Sequence, residues 1–462
     1  VPIGWVYLVV RAVQDEPLVG DRQFWVTRPY EWKNLLAAKL LFVVVFVNLP
    51  IFVVEVILLE VGGFRPWTFL PGLMMLQLLW QIILVLPSMT FATVTSSLGQ
   101  FLLASLCVVL YLIGGSILNS YVPNNGISGA ASIPDTIESV VALGAGLAVI
   151  FSQYARRRTT RARLLLGGAA LAILVVMAAS PYKALIRHAY PTGTGTLPVQ
   201  FALDPAKPKV QETEVEKGKT HIRVPLLVSG IAKDSLVGLN GVQVTVRSSD
   251  GTVWNSPWIS AGGMLSSRSQ HSAVEFSMEN AVFERMKTEP VAAHLTFALL
   301  MFQSTEEQRI THTDKPFGVP GNGRCLFDPG WIGGFRCVFP LTTPLLQVTV
   351  KSEEITCAPR EDEKPVAAGA VGEGWIWGHD QGAEFGISPV VIRTLYINDW
   401  GQELNEREVR TRICAGTPLT LRTVEEVGQK RTEVDLPNIL LTNYQLKDVS
   451  RGSSGWGFAI GR

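Results

Sequence analysis

The sequence predicts a polytopic α-helical membrane bundle, five full helices plus a truncated one, followed by a β-rich extracytoplasmic region of one or two β-sandwiches. Three observations carry the prediction. The 462 residues are 47% hydrophobic and only 17% charged, with a mean hydropathy of +0.26; soluble domains carry roughly 25% charged residues. Residues 66–134 contain no Asp, Glu, Lys or Arg, and lipid is the simplest solvent for such a stretch. Beyond about Tyr190 the pattern changes to short alternating runs, and charge returns: 27 Lys+Arg and 31 Asp+Glu follow His188, against 13 and 8 before it. Overall, 40 Lys+Arg against 39 Asp+Glu leave no basic excess that would point to nucleic acid.

A bilayer core of about 30 Å requires roughly 20 apolar residues in a helix, because each backbone amide must be bonded within its own segment. Residues 3–10 (IGWVYLVV) are too few to cross alone and read as the end of an earlier helix; a cleaved signal peptide is the rival reading, disfavoured because no small-residue cleavage site follows. Five segments then qualify: residues 35–59, 70–87, 98–118, 137–153 and 164–180. The fourth, with the core VVALGAGLAVIF, is short and Gly-rich, and a tilted or re-entrant helix is its rival reading. Charge placement supports a span. Arg156, Arg157, Arg158, Arg161 and Arg163 fill the link to the fifth segment, and the positive-inside rule assigns such a link to the cytoplasm. Counting from that anchor puts the uncharged link 119–133 outside, and Arg11, Arg22, Arg28 and Lys33 inside. Residues 1–190 are then the membrane domain of a multi-pass protein of a bacterial inner membrane. Residues 191–200 are a linker, and 201–462 lie outside.

Three polar side chains fall within the segments. At the bilayer centre Glu55 would cost about 2.5–3.5 kcal/mol, but its place near the outer end lets it snorkel. Gln77 and Gln81, one turn apart on one face, are suited to joining helices through hydrogen bonds. A substrate or ion role is the second reading for all three. Pro50 removes one internal hydrogen bond and kinks its helix.

The inner loop 11–34 mixes charges with aromatics, as an interfacial anchor would. Its order is an acidic-basic pair, Asp21 and Arg22, then Phe24 and Trp25, then Thr27-Arg28-Pro29, and finally Leu35-Leu36-Ala37-Ala38-Lys39 opening a long apolar helix. Over about residues 1–180, this loop with the helix number and spacing resembles the membrane-spanning permease subunits of the ABC transporter type-2 family. It departs from them at Gly20-Asp21-Arg22-Gln23, where the family more often shows Glu followed later by Gly-Thr. The resemblance implies that Asp21, Arg22, Phe24, Trp25, Arg28 and Pro29 form a coupling surface for a separate ATPase subunit. It also implies that ATP and Mg act on that partner, that this chain holds no cofactor, and that a second permease copy, identical or not, completes the transporter. Accordingly, Gly218-Lys219-Thr220 is the only phosphate-loop fragment, and Thr213 stands where a P-loop needs Gly.

In the second half, residues 221–228, 242–247, 273–278, 294–302 and 346–351 read as strands. A break at 359–364 (PREDEK) with the Ala/Gly-rich 367–374 divides the region in the two-sandwich alternative. Four of the five cysteines lie here, where an outside location permits disulfides. Cys325 and Cys337, flanking a Gly-rich stretch, are the easier pair to close, and Cys357 with Cys414 follow. None stands in a CxxC pair, which disfavours zinc. Trp375, Trp377, His379 and Asp380 form the most site-like stretch, two indoles on one strand face beside a His-Asp pair; a sandwich core is the rival reading. No Gly-x-Ser-x-Gly elbow or other hydrolase motif occurs, so the chain is not expected to be an enzyme. The function expected from the whole is the membrane subunit of an ATP-driven transporter. The alternative is a membrane-anchored β-domain acting as a binding or sensory module.

Overall fold

The computed structural model describes residues 2–15, 31–120, 132–179, 182–192, 199–205, 212–213, 218–259, 263–268, 271–311, 315–319, 323–327, 334–341, 345–355, 371–376, 388–396 and 416–448. An N-terminal helical region is followed by a β-rich region, and five helices are long and apolar enough to cross a membrane.

α1 (Pro2–Gln14) packs Val9, Val10 and Val13 into the middle of the helical region, against Val43, Val47, Met89 and Ile150. Two long rods follow, each broken once. α2 (Trp32–Val43) passes through a π-helical turn, Val44–Asn48, into α3 (Leu49–Val61). α4 (Leu70–Trp80) passes through a second π turn, Gln81–Val85, into α5 (Leu86–Val94). In both rods proline is the second residue after the π turn, Pro50 and Pro87. Proline has no N–H to donate, and its ring presses on the carbonyl four residues back. The wider turn relieves both problems without ending the helix. Hydroxyls then take up neighbouring carbonyls: Ser88 Oγ donates to Leu84 O at 2.6 Å and Thr90 Oγ1 to Leu86 O at 2.7 Å. The second rod therefore runs past Pro87, where the apolar run was expected to end, to Val94.

α6 (Leu98–Ser120), α7 (Ser132–Arg156) and α8 (Thr159–Ala179) complete the long helices. α7 and α8 form a hairpin whose two-residue link begins with Arg157 in the left-handed region, φ 53°. Near that end Arg163 donates to Val94 O at 3.0 Å, and Gln14 Nε2 to Thr95 Oγ1 at 3.0 Å. The ends of α1, α5 and α7 and the start of α8 thus gather at one end of the bundle.

The β region hangs from the opposite end. A three-stranded sheet contains β1 (Gln200–Leu203), β3 (Lys219–Ser229) and β7 (His271–Glu279), with β3 central. β2 (Glu212–Thr213) pairs with β16 (Lys447–Asp448). The largest sheet has the order β13-β12-β15-β8-β4-β5. Its members are β4 (Ser235–Arg247), β5 (Val253–Asn255), β8 (Val291–Thr311), β12 (Leu345–Lys351), β13 (Val371–Ile376) and β15 (Pro418–Ile439), with β6 (Gly263–Leu265) beside β4. A four-stranded sheet runs β14 (Val390–Tyr396), β11 (Gly334–Pro340), β10 (Gly323–Phe327), β9 (Phe317–Val319).

Two cores lie against the largest sheet. Ile222, Leu226, Phe276 and Met278, with Phe283 of the short α10 (Asn280–Met286), meet Val244, Leu295 and Phe297. Phe335, Phe339 and Cys325 meet Leu346, Val348 and Leu421. β8 and β15 are long enough to serve both. Of the expected break at 359–374, residues 371–374 belong to β13, which pairs with β12; the preceding residues lie outside those described.

The two halves meet at the link between α3 and α4. Leu59, Phe64, Leu73 and Leu76 pack with Val338, Leu341 and Val390. The Arg324 guanidinium lies over the Phe64 ring, 5.7 Å from its centroid. Leu341 has a left-handed backbone, φ 65°, and its side chain occupies the space above Gly72, where a Cβ would collide with it. After α8, α9 (Tyr182–Ala189) tethers the chain again through Ile186 and the following Tyr190, buried against Leu236, Trp258 and Phe302.

Candidate functional site

The two rods carry a half-buried polar relay that ends on a buried carboxylate. Asn48 closes the first π turn, Gln81 opens the second, and Glu55 lies two helical turns beyond Asn48 on the same face. Gln77 and Trp80 precede Gln81 on α4. The Gln81 amide donates to Asn48 Oδ1, and Asn48 Nδ2 donates to Gln77 Oε1 at 3.1 Å. Gln77 Nε2 donates to Glu55 Oε2 at 2.8 Å, and Trp80 Nε1 to Glu55 Oε1 at 3.2 Å. Every donor points towards the carboxylate. Glu55 is only 2% exposed, so it turns into the helix interface rather than out to a snorkelling position.

The physical reason is local. A carboxylate held away from water is tolerated when its oxygens accept strong hydrogen bonds, and such charge-assisted bonds are about twice as strong as neutral ones. Here each Glu55 oxygen has one donor, supplied by the facing rod. The π turns place Asn48 and Gln81 within this array, Asn48 two residues before Pro50 and Gln81 six residues before Pro87.

Lys39, the last residue of the resemblance motif, is the second buried charge of the helical region among the described residues. Its Nζ donates to Ala12 O at 2.8 Å and Val13 O at 3.1 Å, the free carbonyls at the end of α1. A cation there satisfies orphan carbonyls and complements the helix dipole. Sixteen residues separate Lys39 from Glu55, about 24 Å along the rod, so the two act separately. On α7, Gln153 is fully buried, with neither amide atom hydrogen-bonded among the described residues.

Of the side chains singled out from sequence, Glu55, Gln77 and Gln81 thus come together in one network, and Cys325 is disulfide-bonded to Cys337 across β10 and β11, where the two are directly opposed. Trp375 stands in β13 opposite Gln347. Asp21, Arg22, Phe24, Trp25, Arg28, Pro29, Cys357, Cys414, Trp377, His379 and Asp380 lie outside the described residues. Sequence reasoning passed over Asn48 and Trp80. Asn48 stands seven residues before Glu55, the spacing that puts two side chains on one helix stripe, and that was the available signal. Among the described residues, no group of three His, Cys, Asp or Glu side chains is placed to hold a metal.

No protein-family model and no curated protein sequence matches this chain. Among solved structures, red sea bream transglutaminase aligns over 56% of this chain and 35% of its own, at 10% identity and a TM-score of 0.15, too low to carry an argument about fold or activity.

Proposed function

We propose that the chain is the membrane-spanning subunit of an ATP-driven transporter of the ABC type-2 class, with ATP and Mg acting on a partner ATPase. The observation that carries a transport reading is the Glu55 relay on two proline-broken, π-turned rods. Ionisable groups inside apolar helices are costly and mark substrate or ion pathways by default. Single π turns inside α-helices occur frequently at functional sites. The class itself rests on the resemblance of the inner loop, with Phe24, Trp25 and Arg28 as the dock and a second permease copy facing the first.

The remaining geometry fits this reading. The β region sits at the end of the bundle opposite the Arg156–Arg163 cluster, which is the arrangement that the positive-inside rule requires of an extracytoplasmic domain. A Cys325–Cys337 disulfide suits an oxidising compartment. The Phe64–Arg324 and Gly72–Leu341 contacts hold that domain on the first two rods rather than leaving it on a tether.

The test is purification from native membranes through a tag after Arg462, followed by mass spectrometry. A nucleotide-binding subunit should accompany the chain in near-stoichiometric amount, and changing Phe24, Trp25 and Arg28 to Ala should remove it. Glu55→Gln should leave that association intact and lower substrate-stimulated ATPase activity. Purification without such a subunit, under conditions that keep known transporters together, would leave the anchored binding module as the better reading.

A further inference from the structure

The helix hairpin α7–α8 leaves an open groove of about 770 Å³ along its length, in the range of small-molecule pockets. Arg156, Arg158 and Arg161 line it at the end where the hairpin turns. Leu165, Gly168 and Ala172 line its continuation along α8. From Arg161 to Ala172 is about 16 Å of helix. The groove is therefore amphipathic along its axis, cationic at the bundle end and apolar below.

Its charge is unanswered. Among the described residues, none of Arg156, Arg158 and Arg161 has an ion-pair or hydrogen-bond partner, whereas Arg163 is engaged with Val94 O. No Asp or Glu occurs between Glu138 and Asp204, so the hairpin carries no acid of its own beyond that point. Three guanidiniums held together without counter-charge repel one another, and an anion relieves the repulsion. Arginine's planar fork matches phosphate oxygens in particular. The apolar floor excludes a purely water-soluble anion as the best fit, since Leu164 and Leu165, 69% and 43% exposed, would remain in water beneath it.

We infer that this groove binds an anionic glycerophospholipid, its phosphodiester headgroup among Arg156, Arg158 and Arg161 and one acyl chain along Leu165, Gly168 and Ala172. The inference rests on the membrane reading of the helices. Basic pockets between spans at one membrane face are the sites that hold acidic headgroups. Such a lipid would pin the hairpin at the interface and neutralise a cluster that otherwise costs the fold energy. It would also make the stability of this end of the bundle depend on membrane composition.

Gly168 offers a clean block. A Cβ there meets no heavy atom within 4 Å, and the same holds at Gly167, which does not line the groove. Gly168→Leu therefore fills the groove without disturbing the packing, and Gly167→Leu is its control. The full chain is exchanged into nanodiscs of phosphatidylcholine with minor phosphatidylglycerol, and the lipid retained after mild detergent release is counted by native mass spectrometry. The wild type and Gly167→Leu should retain phosphatidylglycerol at least tenfold over its share of the disc. Arg156→Gln/Arg158→Gln/Arg161→Gln and Gly168→Leu should each bring retention to the bulk ratio. Equal retention of the two lipids by the wild type, unchanged retention in Gly168→Leu, or complete displacement by soluble glycerol phosphate would overturn the inference. Carbonate extraction of each variant from cell membranes separates this result from the premise. A chain released by carbonate refutes the membrane reading itself; a chain retained in the pellet but indifferent to lipid charge refutes only the lipid site.

Discussion

The helical and β halves solve opposite solvation problems, and the contrast lies in where large apolar side chains point. In the β half Ile222, Leu295 and Phe297 are fully buried, whereas Leu103, Leu106 and Leu110 on α6 face outward, each more than half exposed. Polar groups show the reverse. The β strands set opposite charges directly across from one another on water-facing surfaces: Arg422 with Glu307 at 2.8 Å, Arg223 with Glu275 at 3.1 Å. The helical rods turn Glu55, Asn48, Gln77 and Gln81 inward. The two halves of one chain thus place their polar and apolar groups in opposite patterns. Contiguous exposed apolar surface on that scale marks a membrane or a partner.

The largest effect that would test the contrast is a matched pair of truncations. Phe297 stacks on Phe201 with centroids 4.4 Å apart in a fully buried core. Phe297→Ala should cost about 3–5 kcal/mol through lost burial and an unfilled cavity. Leu106→Ala, on the apolar exterior, should stay within about 0.5 kcal/mol, as for other surface positions. Denaturant unfolding of the detergent-solubilised chain measures both. Comparable losses at the two sites would mean that α6 packs against protein and not lipid.

Next in size is the disulfide. Cys325 and Cys337 are 12 residues apart, and closing a loop of that order contributes about 3 kcal/mol by restricting the unfolded chain. Cys325→Ser, or reduction, should lower the melting of the second β core by that amount and leave the helical half unchanged. A non-reducing gel reports the bond independently. Loss of helical stability in parallel would show that the Gly72–Leu341 seam couples the halves into one cooperative unit.

How much of this was legible follows from the same solvation logic. The rods announced themselves because long runs without charge leave few alternatives. Their π turns did not, since proline normally ends a helix, and only the hydroxyls of Ser88 and Thr90 reveal how α5 continues. In the β half, alternation marked β3, β4, β7 and β12 and the apolar part of β8. The rest of β8, STEEQRIT, and all of β15 escaped notice because charged and polar residues crowd both segments and mask the alternation, although Leu419, Leu421, Leu436 and Ile439 of β15 are buried in the two cores. Their strand character comes from pairing with each other, from Pro418 opposite Thr311 to Ile439 opposite Val291. Of the polar relay, the three side chains with obvious cost in lipid were visible. Asn48 and Trp80 matter only because the facing rod brings them to that carboxylate, which is tertiary information.

A smaller effect is expected at Glu55. Glu55→Leu leaves the Gln77 amide and the Trp80 indole without their acceptor, a loss of about 1–3 kcal/mol. Glu55→Gln keeps an oxygen in place and should cost less. Adding Gln77→Leu to Glu55→Leu should recover part of the loss, because both polar partners are then gone. Thermal stability in detergent across the double-mutant cycle measures the coupling. Additive losses would mean that the relay is a coincidence of packing.

The smallest effect belongs to a water-facing turn, where the contrast predicts ordinary solution titration. Between β4 and β5, Asp250 accepts the Thr252 backbone N–H at 2.8 Å and the Thr252 hydroxyl at 3.0 Å. These bonds, the backbone one foremost, hold its carboxyl below the usual aspartate range although the group is fully exposed. A depressed folded value means that the carboxylate form stabilises the fold. That contribution is present above the unfolded value of about 3.9 and is lost as pH falls through the lower folded value. Asp250→Asn should therefore reduce the difference in melting temperature between neutral and acid pH, by less than any change above, and added salt should shrink it further. A larger pH response from this turn than from the disulfide variant would mean that the β half depends on surface charge more than on its two cores.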